Sequence, residues 1–328
     1  MRMLVTGGAG FLGSHLTEAL LKRGHTVDIL DLPEQIKAGK IAHLESDENL
    51  NIYPGNVLDK DLIDKLVWQC DKVFHFAAVV GVSHYVVNPH VVLDVNVNIV
   101  QRILNLALKY KKKVIFASTS EIYGKSTKIP FTEDGDRVLG PTSIDRWSYS
   151  TSKAFGEQLC FGLRHLGLRF AILRFFNAYG PGLDSIESGR VLSLFIGKCL
   201  KGEPLIIHGS GKQTRCFTYV SDTVEGIIKA SEVPAAEGEV FNIGTDVETT
   251  IIELAEKTCE IFGVKNNIIF QDHDEEYGQS YEDIPRRIPC TEKSKRILDF
   301  EAKIPLEDGL RITIDAFKKE WAGKKAKD

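Results

Sequence analysis

Tyr149 and Lys153, in the stretch Y-S-T-S-K, are four residues apart and so share one face of any helix that carries them. A phenol beside an ammonium group is a proton-transfer pair. The cation favours phenolate over phenol and is expected to lower the Tyr149 pKa towards a working range. A second polar cluster, A-S-T-S-E-I-Y-G at 117–124, follows an apolar strand and sets the hydroxyls Thr119 and Ser120 and the carboxylate Glu121 where a buried sheet should end. Thr119 can polarise a substrate hydroxyl whose proton Tyr149 removes while a carbon-bound hydride departs. A solvated Tyr–Lys pair and a surface glutamate are the plain alternatives, and only a hydride acceptor nearby favours the chemistry.

The first residues supply a place for that acceptor. Gly7, Gly10 and Gly13 spell G-x-x-G-x-x-G directly after the strand M-L-V-T and at the start of a helical pattern. In that context the backbone can approach a pyrophosphate at the helix N-terminus. Asp31 lies 24 residues beyond Gly7, at the end of the second strand. Its carboxylate can accept from ribose hydroxyls and would repel a 2′-phosphate, and the following Leu32 and Pro33 bring no cation, so NAD is expected rather than NADP. Phe11 and Leu12 in the glycine turn, Phe76, Ala77 and Ala78 at another strand end, Asn56 with Val57, and Asn96 complete the expected cofactor contacts. Asn56 reads equally as a turn asparagine.

Elements must hold these groups together. Strand candidates at 51–53, 73–76, 114–118 and 169–174 alternate with helical or mixed segments, and 91–111 and 149–165 are long amphipathic helices. This alternation predicts an α/β fold, a Rossmann-type doubly wound parallel sheet with helices on both faces. After about residue 177 the elements shorten: 188–202, 205–208, 251–262 and 267–270 suggest a smaller mixed α/β lobe. Residues 1–177 are therefore expected to form the dinucleotide domain, with 214–245 returning to it. Segments 178–213 and 246–317 would form the substrate lobe, and 318–328 a polar tail fraying from a last helix.

Composition closes other routes. A formal charge of −4 over 328 residues leaves no basic footprint for nucleic acid. No uninterrupted apolar run reaches membrane-spanning length, and the N-terminus does not read as a signal peptide. Six scattered cysteines form no C-x-x-C pair and nine histidines show no ligand spacing, so no metal site is expected and the thiols suit a reducing cytoplasm.

Together, the glycine turn, T-S-E-I-Y-G and Tyr149-x-x-x-Lys153 resemble the extended short-chain dehydrogenase/reductase family that modifies nucleotide sugars. The similarity covers nearly the whole chain. It implies NAD in the N-terminal domain, a nucleotide diphosphate sugar against the C-terminal lobe, and a homodimer formed through the helices near 91–111 and 149–165. By that resemblance Tyr149 is the base, Lys153 its activator and a ribose contact, Thr119 a hydroxyl contact, and Asn177 in R-F-F-N-A-Y-G a substrate-binding asparagine.

The segments 189–196, 202–209, 213–222 and 281–289 are similar to UDP-glucuronate decarboxylases. That likeness implies Ser120 and Glu121 at the reacting sugar carbon, Arg287 at the substrate carboxylate, Arg190 and Arg215 towards the diphosphate, and Tyr219 lining the same region. The implied reaction oxidises C4, releases the C5 carboxylate as carbon dioxide from the resulting β-keto acid, protonates C5 and returns the hydride, giving UDP-xylose from UDP-glucuronate. A nucleotide-sugar 4-epimerase, a 4,6-dehydratase and a non-enzymatic NAD-responsive interaction protein are the alternatives. Dehydratases of the family often carry Asp-Glu where this chain has Ser120-Glu121, though some use Ser-Glu. R-W-S-Y-S-T-S-K departs from common decarboxylases, with Arg146 and Trp147 either tuning the sugar ring or packing the helix start.

Overall fold

Seven parallel strands form one sheet in the computed structural model, which describes residues 1–81, 87–187, 189–265, 267–271 and 284–325. In chain order they are β1 (Arg2–Thr6), β2 (Thr26–Asp31), β3 (Leu50–Pro54), β4 (Lys72–His75), β5 (Lys113–Thr119), β6 (Arg169–Phe175) and β11 (Glu239–Ile243). Across the sheet they run β11-β6-β5-β4-β1-β2-β3. The strand order reverses between β1 and β4, the position where a doubly wound sheet opens a crevice at its carboxyl ends.

Helices cover both faces, which is why the strands read as almost unbroken apolar runs. On one face α1 (Phe11–Lys22) and α7 (Val220–Glu232) pack over Met3, Val5, Ile29, Ile115 and Leu173. On the other, α3 (Lys60–Gln69), α4 (Pro89–Lys109) and α5 (Trp147–Arg164) pack over Leu4, Val73, Val114, Phe116 and Ile172. Neighbouring residues of one strand thus enter different cores, the period of two that a pleated strand imposes. By length and composition α4 would also suffice to cross a membrane. Here its buried side packs with α3 and α5 onto the sheet.

Other elements build a smaller region over the carboxyl edge. They include β7 (Ala178–Tyr179), α6 (Val191–Lys201), β8 (Leu205–His208), β9 (Thr214–Cys216), β10 (Thr218–Tyr219), β12 (Glu248–Thr250), α8 (Ile251–Phe262), β13 (Ile268–Gln271), β14 (Arg286–Arg287) and α10 (Leu306–Lys325), whereas α2 (Pro33–Lys37) follows β2 and α9 (Glu292–Leu298) packs against β11 and α7. β12, β9 and β14 make a three-stranded sheet, while β8 pairs with β13 and β7 with β10. The chain returns to the large sheet through α7 and β11. Thr214–Cys216 pair with β12 and β14 instead, so the return begins later than the expected 214. The expected tail from 318 is helical as far as Lys325, because α10 continues through it.

Candidate active site

The parallel register brings the chemistry-bearing residues to one edge. Thr119 ends β5 opposite Phe175 of β6, Thr6 ends β1 opposite His75 of β4, and Asp31 ends β2. Beyond β1 the chain turns through Gly7, whose φ of +76° is left-handed and whose added Cβ would lie 2.7 Å from the Ala77 nitrogen. A Cβ on Gly13 would run into the Gly7 carbonyl oxygen. These positions demand glycine for close approach of α1 to the turn, the geometry that fits a dinucleotide pyrophosphate. Phe11 and Val57 are buried, Leu12, Phe76, Ala77 and Ala78 half-buried, and Leu32 exposed at the rim.

Asp31 is buried, and its two carboxylate oxygens accept from the backbone N–H groups of Ala9 (2.9 Å) and Leu32 (2.8 Å). Burial raises its pKa while those N–H donors pull it back. Each oxygen keeps further acceptor capacity for a ribose hydroxyl. Asn56 uses its side-chain oxygen to accept from the Leu58 N–H at 2.9 Å, the turn role. Asn96 departs from expectation. Its oxygen accepts from Val79 N–H at 2.8 Å, and its amide donates to Val79 O at 3.1 Å and Ser152 Oγ at 3.2 Å. Both amide hydrogens are spent, so Asn96 pins the segment after β4 to α5 rather than offering them to a cofactor.

Tyr149 and Lys153 occupy one buried face of α5, 8% and 5% exposed. Gly156 allows α5 to lie close to β5, since an added Cβ would come within 2.5 Å of the Phe116 ring. One residue on, Glu157 forms a buried ion pair with Arg174 of β6 at 2.7 Å and accepts from Ser118 Oγ at 2.6 Å. Arg174 also donates to Tyr123 Oη at 2.9 Å. This network fastens α5 to the strands that end at Thr119 and Phe175.

The expected lowering of the Tyr149 pKa is not what the structure shows. Burial pushes the phenol up and the Glu121 charge pushes it further, with Arg190 opposing. Lys153 is itself lowered to about 8 by burial, and its ammonium donates to the Ala117 carbonyl at 2.8 Å, 5.8 Å from the Tyr149 ring centre. Desolvation outweighs the help that the Arg190 charge gives the phenolate.

Glu121 sits in a single 3₁₀ turn, Ser120–Tyr123, whose first N–H groups are capped by Thr119: its Oγ1 accepts from Glu121 N–H at 3.2 Å. The carboxylate lies between two guanidinium groups. Oε1 is 3.7 Å from Arg146 Nη2 and 3.5 Å from Arg287 Nη1. Arg287 also donates to Ser120 Oγ at 3.4 Å. Arg146 and Arg287 are 1% and 7% exposed. Arg287 reaches this place because β14 pairs with β9, setting Arg287 opposite Arg215, and because Phe131 N–H donates to the Ile288 carbonyl at 2.8 Å. Tyr281, Glu282 and Asp283 of the motif that contains Arg287 lie outside the described residues.

The remaining substrate candidates divide. Arg215 is buried and donates to the Thr214 and Ile284 carbonyls, both at 2.8 Å. Arg190 is half exposed at the start of α6, paired with Asp184 at 2.7 Å and 5.4 Å above the Phe11 ring. Asn177 is half-buried after β6, and its carbonyl accepts from Thr218 N–H at 3.0 Å. Tyr219 was expected to line the site but packs in the main core, edge-on to Tyr179 at 5.6 Å and against Gly309. Its aromatic ring is used for packing where α10 closes on β10.

A description of an NAD dependent epimerase/dehydratase family matches residues 3–244. The chain is 43% identical over 317 residues to a UDP-N-acetyl-alpha-D-glucosaminuronate decarboxylase from Bacillus cytotoxicus, covering 97% of this chain and 98% of that protein. It is 32% identical to UDP-glucuronic acid decarboxylase 1 of Xenopus tropicalis, covering 97% and 72%. Among solved structures, a UDP-glucuronic acid 4-epimerase from Bacillus cereus in complex with UDP-glucuronic acid and NAD superposes with a TM-score of 0.86 at 30% identity, over 98% and 100% of the two chains. The chain belongs to the NAD-dependent epimerase/dehydratase family of nucleotide-sugar enzymes.

Proposed function

We propose that this protein decarboxylates a UDP-linked hexuronate through a 4-keto intermediate. The observation that carries this reading is the cluster of Arg146, Glu121 and Arg287: two buried guanidinium groups face one carboxylate, and Arg287 Nε is buried with no hydrogen-bond partner among the described residues. A buried guanidinium N–H left in that state calls for an acceptor, and a sugar carboxylate held there would sit near the groups that work on C4. The 43% identity to a decarboxylase named for the N-acetylated uronate makes that sugar the first substrate to test. UDP-glucuronate, giving UDP-xylose, is the second, supported by relatives at 32–33%.

Bound NAD supplies reversible hydride acceptance, held at the glycine turn and Asp31 with Lys153 towards the nicotinamide ribose. Tyr149 takes the proton of the C4 hydroxyl, and Thr119 orients that hydroxyl. Once C4 is a carbonyl, the C5–carboxylate bond breaks and its electron pair passes towards the C4 oxygen. Tyr149 and Thr119 then donate to the enolate oxygen, the developing charge that lowers the barrier. A solvent-derived proton joins C5 beside Glu121, and the C4 alcohol is restored with a proton from Tyr149. Arg287 holds the carboxylate until it leaves, which also offsets its repulsion by Glu121.

A homodimer through α4 and α5 and a cytoplasmic setting belong to the same proposal. Exposed Val91 and Leu93 along the start of α4, with Val87 just before it, support the first, and five buried free thiols suit the second. A second reading, epimerisation of a uronate that keeps its carboxylate, is supported by the solved epimerase complexed with UDP-glucuronic acid. Incubation with NAD and each of UDP-N-acetylglucosaminuronate, UDP-glucuronate and UDP-glucose, followed by mass analysis, separates the outcomes. Loss of carbon dioxide from a uronate is expected. An isomer of unchanged mass would replace the proposal with epimerisation, and loss of water with dehydration.

A further inference from the structure

We propose that Arg146 is a positioning residue for Glu121, and that the carboxylate's oxygens have separate duties: Oε1 is anchored and Oε2 faces the reacting sugar. The inference rests on the uronate-decarboxylase reading above. Both guanidinium contacts fall on the same atom, with Oε1 at 3.7 Å from Arg146 and 3.5 Å from Arg287. Oε2 is buried, and so is Arg287 Nε, and neither has a hydrogen-bond partner among the described residues. Buried polar atoms left in this state are costly, so two of them at one site point to a ligand that satisfies both. Arg287 Nη1 is already occupied by Ser120 and Glu121, which leaves its Nε–H edge for the substrate carboxylate.

Arg146 makes that division of labour work. It stands at the N-cap of α5, 1% exposed, where burial and the positive end of the helix both disfavour a cation. Glu121 offsets its charge. Without Arg146, Glu121 would lean on Arg287 alone and compete with the substrate carboxylate for it. Arg146 is also three residues before Tyr149, so one rigid helix end fixes both the phenol and the acid's orientation.

The test compares wild type, Glu121→Gln, Arg146→Met, Arg146→Lys and the Glu121→Gln/Arg146→Met double variant with NAD and the uronate that wild type turns over. Carbon dioxide release, single-turnover NADH formation and thermal midpoint are measured for each. Arg146→Met is expected to slow carbon dioxide release by about 10²-fold and NADH formation far less, because a misplaced group costs most in the step it serves. Arg146→Lys should recover part of the loss. Since Arg146 acts through Glu121, the double variant should be no slower than Glu121→Gln alone. A double-variant loss equal to the product of the two single losses would overturn the positioning role, as would equal slowing of both steps by Arg146→Met. Wild-type turnover without carbon dioxide would instead overturn the decarboxylase reading, a separate result.

Discussion

At the scale of single residues, burial dominates the chemistry. Tyr149 is a phenol whose charged form is disfavoured by burial and by Glu121, so the base role proposed for it needs the positive charge of oxidised NAD beside it to favour phenolate. Tyr149→Phe should reduce single-turnover NADH formation by about 10²- to 10⁴-fold with a much smaller change in NAD affinity. Unchanged NADH formation would remove Tyr149 from the base role. Lys153 gives a thermodynamic check. Its folded-state pKa of about 8 lies below the ordinary lysine value of 10.5, so the folded protein releases that proton first. Between those two values the unfolded chain binds more protons, and wild-type stability gains up to about 1.4 kcal/mol per pH unit from this residue. Lys153→Met lacks the effect. The stability difference between that variant and wild type, measured by denaturant titration across the window, should move in favour of wild type as pH rises, and a flat difference would mean that Lys153 is not desolvated.

At the scale of elements, the site depends on how α5 is fastened. The Glu157–Arg174 pair joins this helix to β6, and Ser118 of β5 donates to the same carboxylate. Arg174→Met would strand the buried Glu157 charge and should cost about 3–5 kcal/mol in urea unfolding. A loss below 1 kcal/mol would show that the pair is solvent-relaxed and not a clamp. The sequence signals for this clamp were present but indistinct: Gly156 and Glu157 follow Lys153 by three and four residues, and only the helix register turns them towards Phe116 and Arg174. Likewise Asn96 reads as a cofactor contact until α4 is placed beside α5, where its amide is consumed by Val79 and Ser152.

At the scale of the whole molecule, the large sheet and the smaller region divide the reaction. The sheet's carboxyl edge presents Asp31 and Thr119 and α5 carries Tyr149 and Lys153, while β14 and β9 bring Arg287 and Arg215 from the smaller region. Because hydride is taken from and returned to the same bound sugar, steady turnover should leave total NADH constant after the first cycle. Absorbance during conversion of many equivalents checks this, and NADH rising in proportion to product would mean a net dehydrogenase instead of a closed cycle.

By itself the sequence determined the alternation of strands and helices, the glycine turn, the acid at the end of β2 and the Tyr–Lys face, because each of these is a local pattern of spacing and polarity. Tertiary structure alone decided what depends on distant partners. It buried Tyr149 deeply enough to reverse the expected direction of its pKa, moved Tyr219 into the core against Tyr179, and carried Arg287 to Ser120 across 167 positions of chain. Desolvation and long-range ion pairing belong to packed volumes, and no local run of residues encodes which charges will share one.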